Sequence, residues 1–267
     1  MPPVRKRFGQ HFLEPAWADK VVKAIGPSPG ETFLEIGPGT GVLTLRLAPK
    51  VKQLIAVEID RDLIADLAPK LPANASIVSG DVLELDLAAL APGDAGGALR
   101  IAGNLPYNIS SPILFRLLDL RSRRPVRDAT LMLQREVADR IVARPGSAEY
   151  GVLSVLLQWQ ATVTRVLALP PGAFRPPPKV RSAVIQLAFR DPEVAVTDPR
   201  LFTRLVRSVF TQRRKTLSNA LVPLATEIGV SARDALREAG LDPTRRPQTL
   251  EIVEIARLAD IFAAAAR

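Results

Sequence analysis

The sequence predicts an α/β protein: a mostly parallel sheet ending in an antiparallel hairpin, followed by a small all-α domain. Three observations predict it. Short apolar runs alternate with helical spacing through the first half, which is the pattern of βα units. Two later apolar runs, Val152 to Val163 and Val184 to Phe189, flank a proline cluster and read as a strand pair. From Arg200 onward the pattern is helical, with breaks at Pro223, Gly229, Gly240 and Pro247. The stretch from Asp191-Pro192 to Asp198-Pro199 reads as a linker, so the expected domains are 1–192 and 193–267.

The elements follow in order. Thr32 to Ile36 is a strand, then a glycine turn leads into a helix from about Thr40 to Ala48. Gln53 to Val57 is the second strand, with a helix from about Arg61 to Leu71; Ser76 to Val78 and Leu99 to Ala102 are the third and fourth strands. Ser110 to Leu120 carries Ile113, Leu114, Leu117 and Leu118 on one helical face. Asp128 to Leu133 is a fifth strand and Gln134 to Val142 a helix. The segment Pro170 to Pro178 is too rich in proline to donate to a ladder and reads as a stiff loop.

Composition narrows the function classes. With no cysteine, disulfides and thiolate metal sites are excluded. No apolar run approaches the length of a membrane span, and the charged N-terminus has no apolar stretch behind it. A cytoplasmic protein with neither membrane nor metal is expected. The net charge of +9 favours a polyanionic partner. Residues 170–267 hold 16 basic and 10 acidic side chains, whereas residues 1–169 hold 20 and 17, so the excess is concentrated in the C-terminal third.

The strongest local signal is Phe33-Leu34-Glu35-Ile36-Gly37-Pro38-Gly39-Thr40-Gly41, an apolar strand running into glycines at alternate positions. Glycine permits the tight turn and lets a ligand approach the backbone. The following helix start offers unpaired N–H groups, which together point to a nucleotide-like ligand. Glu58 closes the second strand, where a carboxylate can accept both ribose hydroxyls. Asp81 follows the third strand, placed to accept from an adenine amino group, and Asn104 follows the fourth. Ligands of open α/β sheets bind at such carboxyl ends. A nicotinamide dinucleotide fits less well: the spacing is G-x-G-x-G, and a single histidine leaves little for a proton relay.

The chain resembles the ribosomal RNA adenine dimethylase family, on its small-subunit branch. The blocks that carry the resemblance run in order from Lys6 to Leu217. They are Lys6-Arg7-Phe8-Gly9-Gln10-His11-Phe12-Leu13, Glu35 to Gly41, Glu58, Asp81 and Asn104-Leu105-Pro106-Tyr107-Asn108-Ile109-Ser110. Pro170-Pro171-Gly172-Ala173-Phe174, Pro176 to Val180 and Arg213-Arg214-Lys215-Thr216-Leu217 complete the set. The resemblance implies a Rossmann-like sheet, S-adenosylmethionine as cofactor, and dimethylation of N6 on two adjacent adenines of a 16S rRNA hairpin loop. It also implies a monomer acting on the immature 30S subunit.

The chemistry agrees with it. A sulfonium methyl is already electrophilic, so neither covalent nucleophile nor metal is required. An adenine amine is a weak nucleophile because its lone pair is delocalised into the ring. The Asn104 side-chain oxygen and the Leu105 carbonyl can accept its two N–H bonds and favour a pyramidal nitrogen. Those bonds strengthen as positive charge develops, which raises rate. Pro106 stiffens the backbone and removes a competing donor. Tyr107 can stack on the extruded base, and the resemblance puts Phe174 on its other face.

The resemblance places the N-terminal block over the cofactor, with His11 and Leu13 as contacts and Arg5, Lys6 and Arg7 toward RNA. His11 stands where many members have asparagine, and Arg181 where many have an acidic residue. Arg200, Arg204 and Arg207 share one helical face. With Arg213, Arg214 and Lys215 they form a basic stripe with no acidic residue between Pro199 and Thr226, suited to RNA phosphates. Three alternatives remain: a macrolide-resistance methylase of 23S rRNA, a non-catalytic ribosome-assembly or nucleic-acid-binding factor, and a methylase of proteins or small molecules. The intact glycine turn, Glu58, Asp81 and Asn104 argue against the second, and the basic stripe against the third.

Overall fold

The computed structural model describes residues 11–90 and 97–266. Arg5, Lys6 and Arg7 therefore lie outside the described residues. The chain forms two compact units. One comprises residues up to Ala138 together with Thr162–Arg190; the other comprises Asp139–Ala161 together with Asp191 onward. The sequence puts all of 1–192 in one unit, whereas residues 139–161 group with the helical part.

Among the described residues the first unit holds nine strands: β1 (Phe12–Leu13), β2 (Thr32–Ile36), β3 (Gln53–Glu58), β4 (Ala75–Ser79), β5 (Leu99–Asn104), β6 (Val126–Gln134), β7 (Ala161–Leu169), β8 (Phe174–Arg175) and β9 (Ser182–Phe189). Seven of them form one sheet in the order β4-β3-β2-β5-β6-β9-β7, and β1 pairs with β8 in a separate two-stranded strap. Strands β2 to β6 run parallel, and β9 lies antiparallel to β6. Every residue of β2 is buried, as expected for the centre of a parallel sheet covered on both faces. Its helices are α1 (Pro15–Ile25), α2 (Thr44–Leu47), α3 (Arg61–Leu67), α4 (Leu87–Leu90), α5 (Ser110–Arg123) and the start of α6 (Arg135–Val142).

Two expectations in this unit are corrected. The helix anticipated from Thr40 begins only at Thr44, because Gly41 sits at φ +81°, outside helical geometry. The proline segment is not wholly loop. A single 3₁₀ turn over Pro171–Ala173 leads into Phe174 and Arg175, which keep their N–H groups and pair with Leu13 and Phe12.

Arg100 fastens the amino ends of the strands. Its side chain is 3 % exposed, yet every arm is used. Nε donates to both oxygens of Asp128 at 2.9 and 3.1 Å, Nη1 to Glu31 at 2.7 Å and the Gly26 carbonyl at 3.0 Å, and Nη2 to the Ile25 carbonyl at 2.6 Å. The guanidinium also lies over the Phe33 ring at 4.8 Å. A charge so buried is tolerated because its arms are met by hydrogen-bond partners.

The second unit contains most of α6, then α7 (Val152–Gln160), α8 (Pro199–Thr211), α9 (Leu217–Ala220), α10 (Val222–Ile228), α11 (Ala232–Glu238) and α12 (Ile252–Ala265). Helix α7 replaces the strand expected from Val152. Its apolar run has no clear period, and burial of Leu153, Val155, Leu156, Leu157 and Trp159 uses almost its whole circumference. Gln158 donates to the Ile141 and Ala143 carbonyls at the end of α6, and Trp159 Nε1 donates to the Val194 carbonyl. The strand begins only at Ala161. Helix α8 starts at Asp198, whose carboxylate accepts from the Arg200 and Leu201 N–H groups, with Pro199 in its first turn. It buries Leu201, Phe202, Leu205, Val206, Val209 and Phe210 along one stripe. Among the described residues no helix is long and apolar enough to cross a membrane.

Candidate active site

A cavity of about 310 Å³ opens at the carboxyl ends of β2, β3 and β5. Its lining contains His11, Leu13, Gly37, Gly39, Glu58, Asp81, Asn104, Leu105, Pro106 and Tyr107, all singled out in the sequence. Segments far apart along the chain are thus drawn to one place. Gly37, Gly39 and Gly41 all have positive φ, at +69°, +58° and +81°. Two of them also lie close against neighbouring side chains, which would have to shift to admit a Cβ. A Cβ on Gly39 would meet the Phe12 ring at 3.1 Å, and one on Gly41 would meet Leu67 at 2.3 Å. Gly41 itself is not a lining residue; it lets α3 pack beneath the turn.

Glu58 braces this turn. Its Oε2 accepts the Gly39 N–H at 3.1 Å, and Oε1 accepts those of Ile59 and Asp60 at 2.9 and 3.0 Å. Burial raises its pKa, against the pull of these three bonds and helped by the charge of Asp60. A carboxylate offers about four lone-pair sites. For Glu58 to take both ribose hydroxyls, as the sequence suggests, one backbone bond must yield, and the longest is that to Gly39. Asp81 lines the cavity, and its Oδ1 accepts the Leu83 N–H at 2.8 Å and caps the local turn.

Asn104 ends β5. Its Nδ2 donates to the His11 carbonyl at 2.7 Å. Since a carbonyl can only accept, this bond fixes which end of the amide faces the N-terminal strap. The oxygen is thereby left to accept from another group. Leu105 is anchored by its N–H to the Met132 carbonyl at 3.2 Å, and the Tyr107 hydroxyl pairs with Ser182 at 2.6 Å. Burial raises the Tyr107 pKa against that bond, so the phenol stays neutral.

Phe174 is not where the sequence expects it. It is 1 % exposed, lies in the core with Leu13, Val21 and Phe33, and is absent from the cavity lining. A two-residue strand sends alternate side chains to opposite faces, and here the apolar residue goes inward while Arg175 goes to solvent. Phe174 therefore presents no exposed face to the cavity. The ring that does meet Tyr107 is His11, with centroids 5.4 Å apart and planes 28° from parallel.

Three further lining residues stand out although the sequence assigns them no role. Ile59 is 45 % exposed beside Glu58, and Phe12 packs on Gly39. Glu35 is 1 % exposed with no hydrogen bond to Oε2 among the described residues. Burial pushes it up to about 8, with the Thr44 hydroxyl pulling it down and the Glu58 charge adding to the rise. Position alone hints at Glu35, since it precedes the glycine turn. Exposure of Ile59 has no sequence signature.

In the helical unit Arg200, Arg204, Arg207, Arg213, Arg214 and Lys215 lie on α8 and the turn that follows it. Their charges are not all free. Arg204 pairs with Glu227 at 2.7 Å, and Arg213 donates to the Ala148 carbonyl at 2.9 Å.

Comparison with known proteins converges on one family. The family model for ribosomal RNA adenine dimethylase matches residues 2–263. Ribosomal RNA small subunit methyltransferase A of Acinetobacter baylyi is 44 % identical over 96 % of this chain and 91 % of its own length. The protein of that name from Xanthomonas oryzae pv. oryzae is 47 % identical, covering 97 % and 96 %. Among solved structures, a dimethyladenosine transferase from Plasmodium falciparum superposes with a TM-score of 0.75 at 26 % identity, covering 93 % of this chain and 96 % of its own. With cavity-lining motifs drawn from distant parts of the sequence and a family model that matches residues 2–263, this chain belongs to the ribosomal RNA adenine dimethylase family.

Proposed function

We propose that the chain dimethylates the N6 amine of adenines in small-subunit ribosomal RNA, with S-adenosylmethionine as donor. The relatives named as small-subunit methyltransferases, similar over nearly their full lengths, support that branch. The observation that carries the chemistry is the Asn104–His11 hydrogen bond, which presents an amide oxygen beside a glycine turn.

The cavity suits the donor in shape and chemistry. The glycine turn admits close approach, Glu58 and Asp81 offer acceptors for hydroxyl and amino hydrogens, and exposed Ile59 offers an apolar face to a flat ring. The Glu35 oxygen that lacks a partner offers a hydrogen bond to the ligand. Bound there, the donor supplies an activated methyl group on a sulfonium sulfur. The protein's part is to hold and sharpen the amine. Asn104 Oδ1 and the Leu105 carbonyl accept its N–H bonds, and Tyr107, pinned by Ser182, supports the base. The cations of the helical unit, above all Arg214 and Lys215, would meet phosphates and set affinity.

The test is incubation with labelled donor and unmodified small- or large-subunit particles, followed by mapping of the modified nucleoside. Dimethyladenosine in small-subunit RNA is expected; label confined to large-subunit RNA would overturn the branch. Glu58→Ala should weaken donor binding by roughly 10- to 100-fold while RNA affinity holds. Equal donor affinity in calorimetry would remove Glu58 from the binding set.

A further inference from the structure

We propose that Arg116 and Arg123 of α5 form a clamp that positions Asp81 for the donor. The inference rests on reading the cavity at the glycine turn as the donor's site. Asp81 lines that cavity and also starts a tight turn. Its carbonyl accepts the Glu84 and Leu85 N–H groups at 3.0 and 2.9 Å, and Oδ1 accepts that of Leu83. Leu85 is the far end of this turn. Its side chain lies against Gly80, where a Cβ would meet Leu85 Cδ1 at 2.8 Å, and its carbonyl accepts from Arg116 Nη2 at 2.6 Å. The next residue, Asp86, takes both arms of Arg123 at 2.7 and 2.9 Å. Arg124 Nη1 reaches the Ala88 carbonyl at 3.2 Å.

Neither arginine lines the cavity, so any effect on a ligand passes through the turn. The two stand about two helical turns apart on one face of α5. The same helix buries Ile113, Leu114, Leu117 and Leu120, which fixes its rotation and so the direction of the arginine face. Its first residue is tied back to the reacting motif, since Ser110 Oγ donates to the Tyr107 carbonyl at 3.2 Å. Helix α5 thus starts at the motif assigned to the amine and, farther along, grips the turn that carries Asp81. Hydrogen bonds from charged donors are stronger than neutral ones. At three points of one short segment, they hold Asp81 in place before a ligand arrives. Such preorganisation lowers the ordering cost of binding.

Arg116→Met keeps the apolar stem and removes the bond to Leu85, along with a 3.5 Å contact to Asp119. Nε has no hydrogen-bond partner among the described residues, so nothing is lost there. Arg123→Ala breaks a solvent-exposed pair and does not threaten folding. Calorimetry with S-adenosylhomocysteine, the demethylated donor, should show affinity about 5- to 30-fold weaker in Arg116→Met and about two- to fivefold weaker in Arg123→Ala. RNA affinity should hold in both, and kcat at saturating donor should stay within about threefold of wild type. In Asp81→Asn, which keeps an oxygen for the Leu83 N–H, adding Arg116→Met should weaken binding no further. Wild-type donor affinity in either arginine variant would overturn the proposal. So would losses that add in the double variant, which would give Arg116 a route independent of Asp81. Loss of RNA affinity alone would also overturn it, making the arginines phosphate contacts. The donor-site reading survives each of these; it fails separately if the wild-type protein binds no S-adenosylhomocysteine.

Discussion

At the amino ends of β5 and β6, Arg100 is buried and every one of its arms is paired, with Asp128, Glu31 and two backbone carbonyls closing the set. At the carboxyl ends of the same sheet, Glu35 is equally buried but keeps an oxygen without a partner, and Asn104 has its nitrogen tied down by the His11 carbonyl. Both ends carry costly polar groups inside one unit. Where the fold meets their needs, they hold strands together. Where it leaves capacity unmet, next to a cavity, the proposed function assigns that capacity to a ligand.

Four experiments press on that contrast. Arg100→Ala should have the largest effect on stability, about 3–5 kcal/mol, because it strands the buried Asp128 carboxylate and removes one partner of Glu31. Urea unfolding would measure it, and the folded fraction should retain its kcat. A loss under about 1 kcal/mol would mean the network is ornamental. Asn104→Ala should do the reverse. It should lower kcat by roughly 10²- to 10³-fold, as for loss of one positioned hydrogen-bonding group, with the unfolding midpoint little changed and donor affinity largely kept. Turnover near wild type would remove Asn104 from the chemistry.

Glu35 gives a pH-dependent version of the same test. Its carboxyl titrates near 8 in the fold against 4.5 as an ordinary side chain. Across that window the unfolded chain has released a proton that the folded chain retains. Stability is therefore full below about 4.5 and drains away as pH rises toward 8. Glu35→Gln does not titrate, so its advantage over wild type in donor-free urea unfolding should grow from pH 5 to pH 8, by a few kcal/mol at about 1.4 per unit. An advantage equal at both pH values would show that the carboxyl is not sealed from water. The smallest effect belongs to the helical unit. Neutralising Arg213, Arg214 and Lys215 together should flatten the log–log salt dependence of RNA affinity, by up to about 0.7–0.9 for each phosphate they neutralise in the wild type. Arg204→Ala should do less, since Glu227 already offsets its charge.

The parts of the site that lie close in sequence were legible. Glycines at alternate positions after an apolar strand, an acid ending the next strand and Asn-Leu-Pro-Tyr ending the fourth are local patterns with local causes. The parts that depend on partners far along the chain were not. Phe174 looked available for stacking because nothing near it shows that Leu13 pairs with it and draws it into the core. The contacts of His11 with Tyr107, 96 residues away, and with Pro176, 165 away, had no local signal. Arg100 was simply a basic residue in a strand until Glu31 and Asp128 closed around it.

The sequence by itself determined the order of the βα units, the glycine turn, the reacting motif, the C-terminal charge excess and the family. These follow from backbone preference, side-chain period and residue chemistry, all expressed within a few residues. Only the tertiary structure decided which aromatic faces Tyr107, which end of the Asn104 amide is tied to the strap, and that Val152 to Gln160 is helix. Those outcomes turn on which of two surfaces finds a partner. A short apolar run or a two-residue strand is neutral on that question until the rest of the chain packs against it.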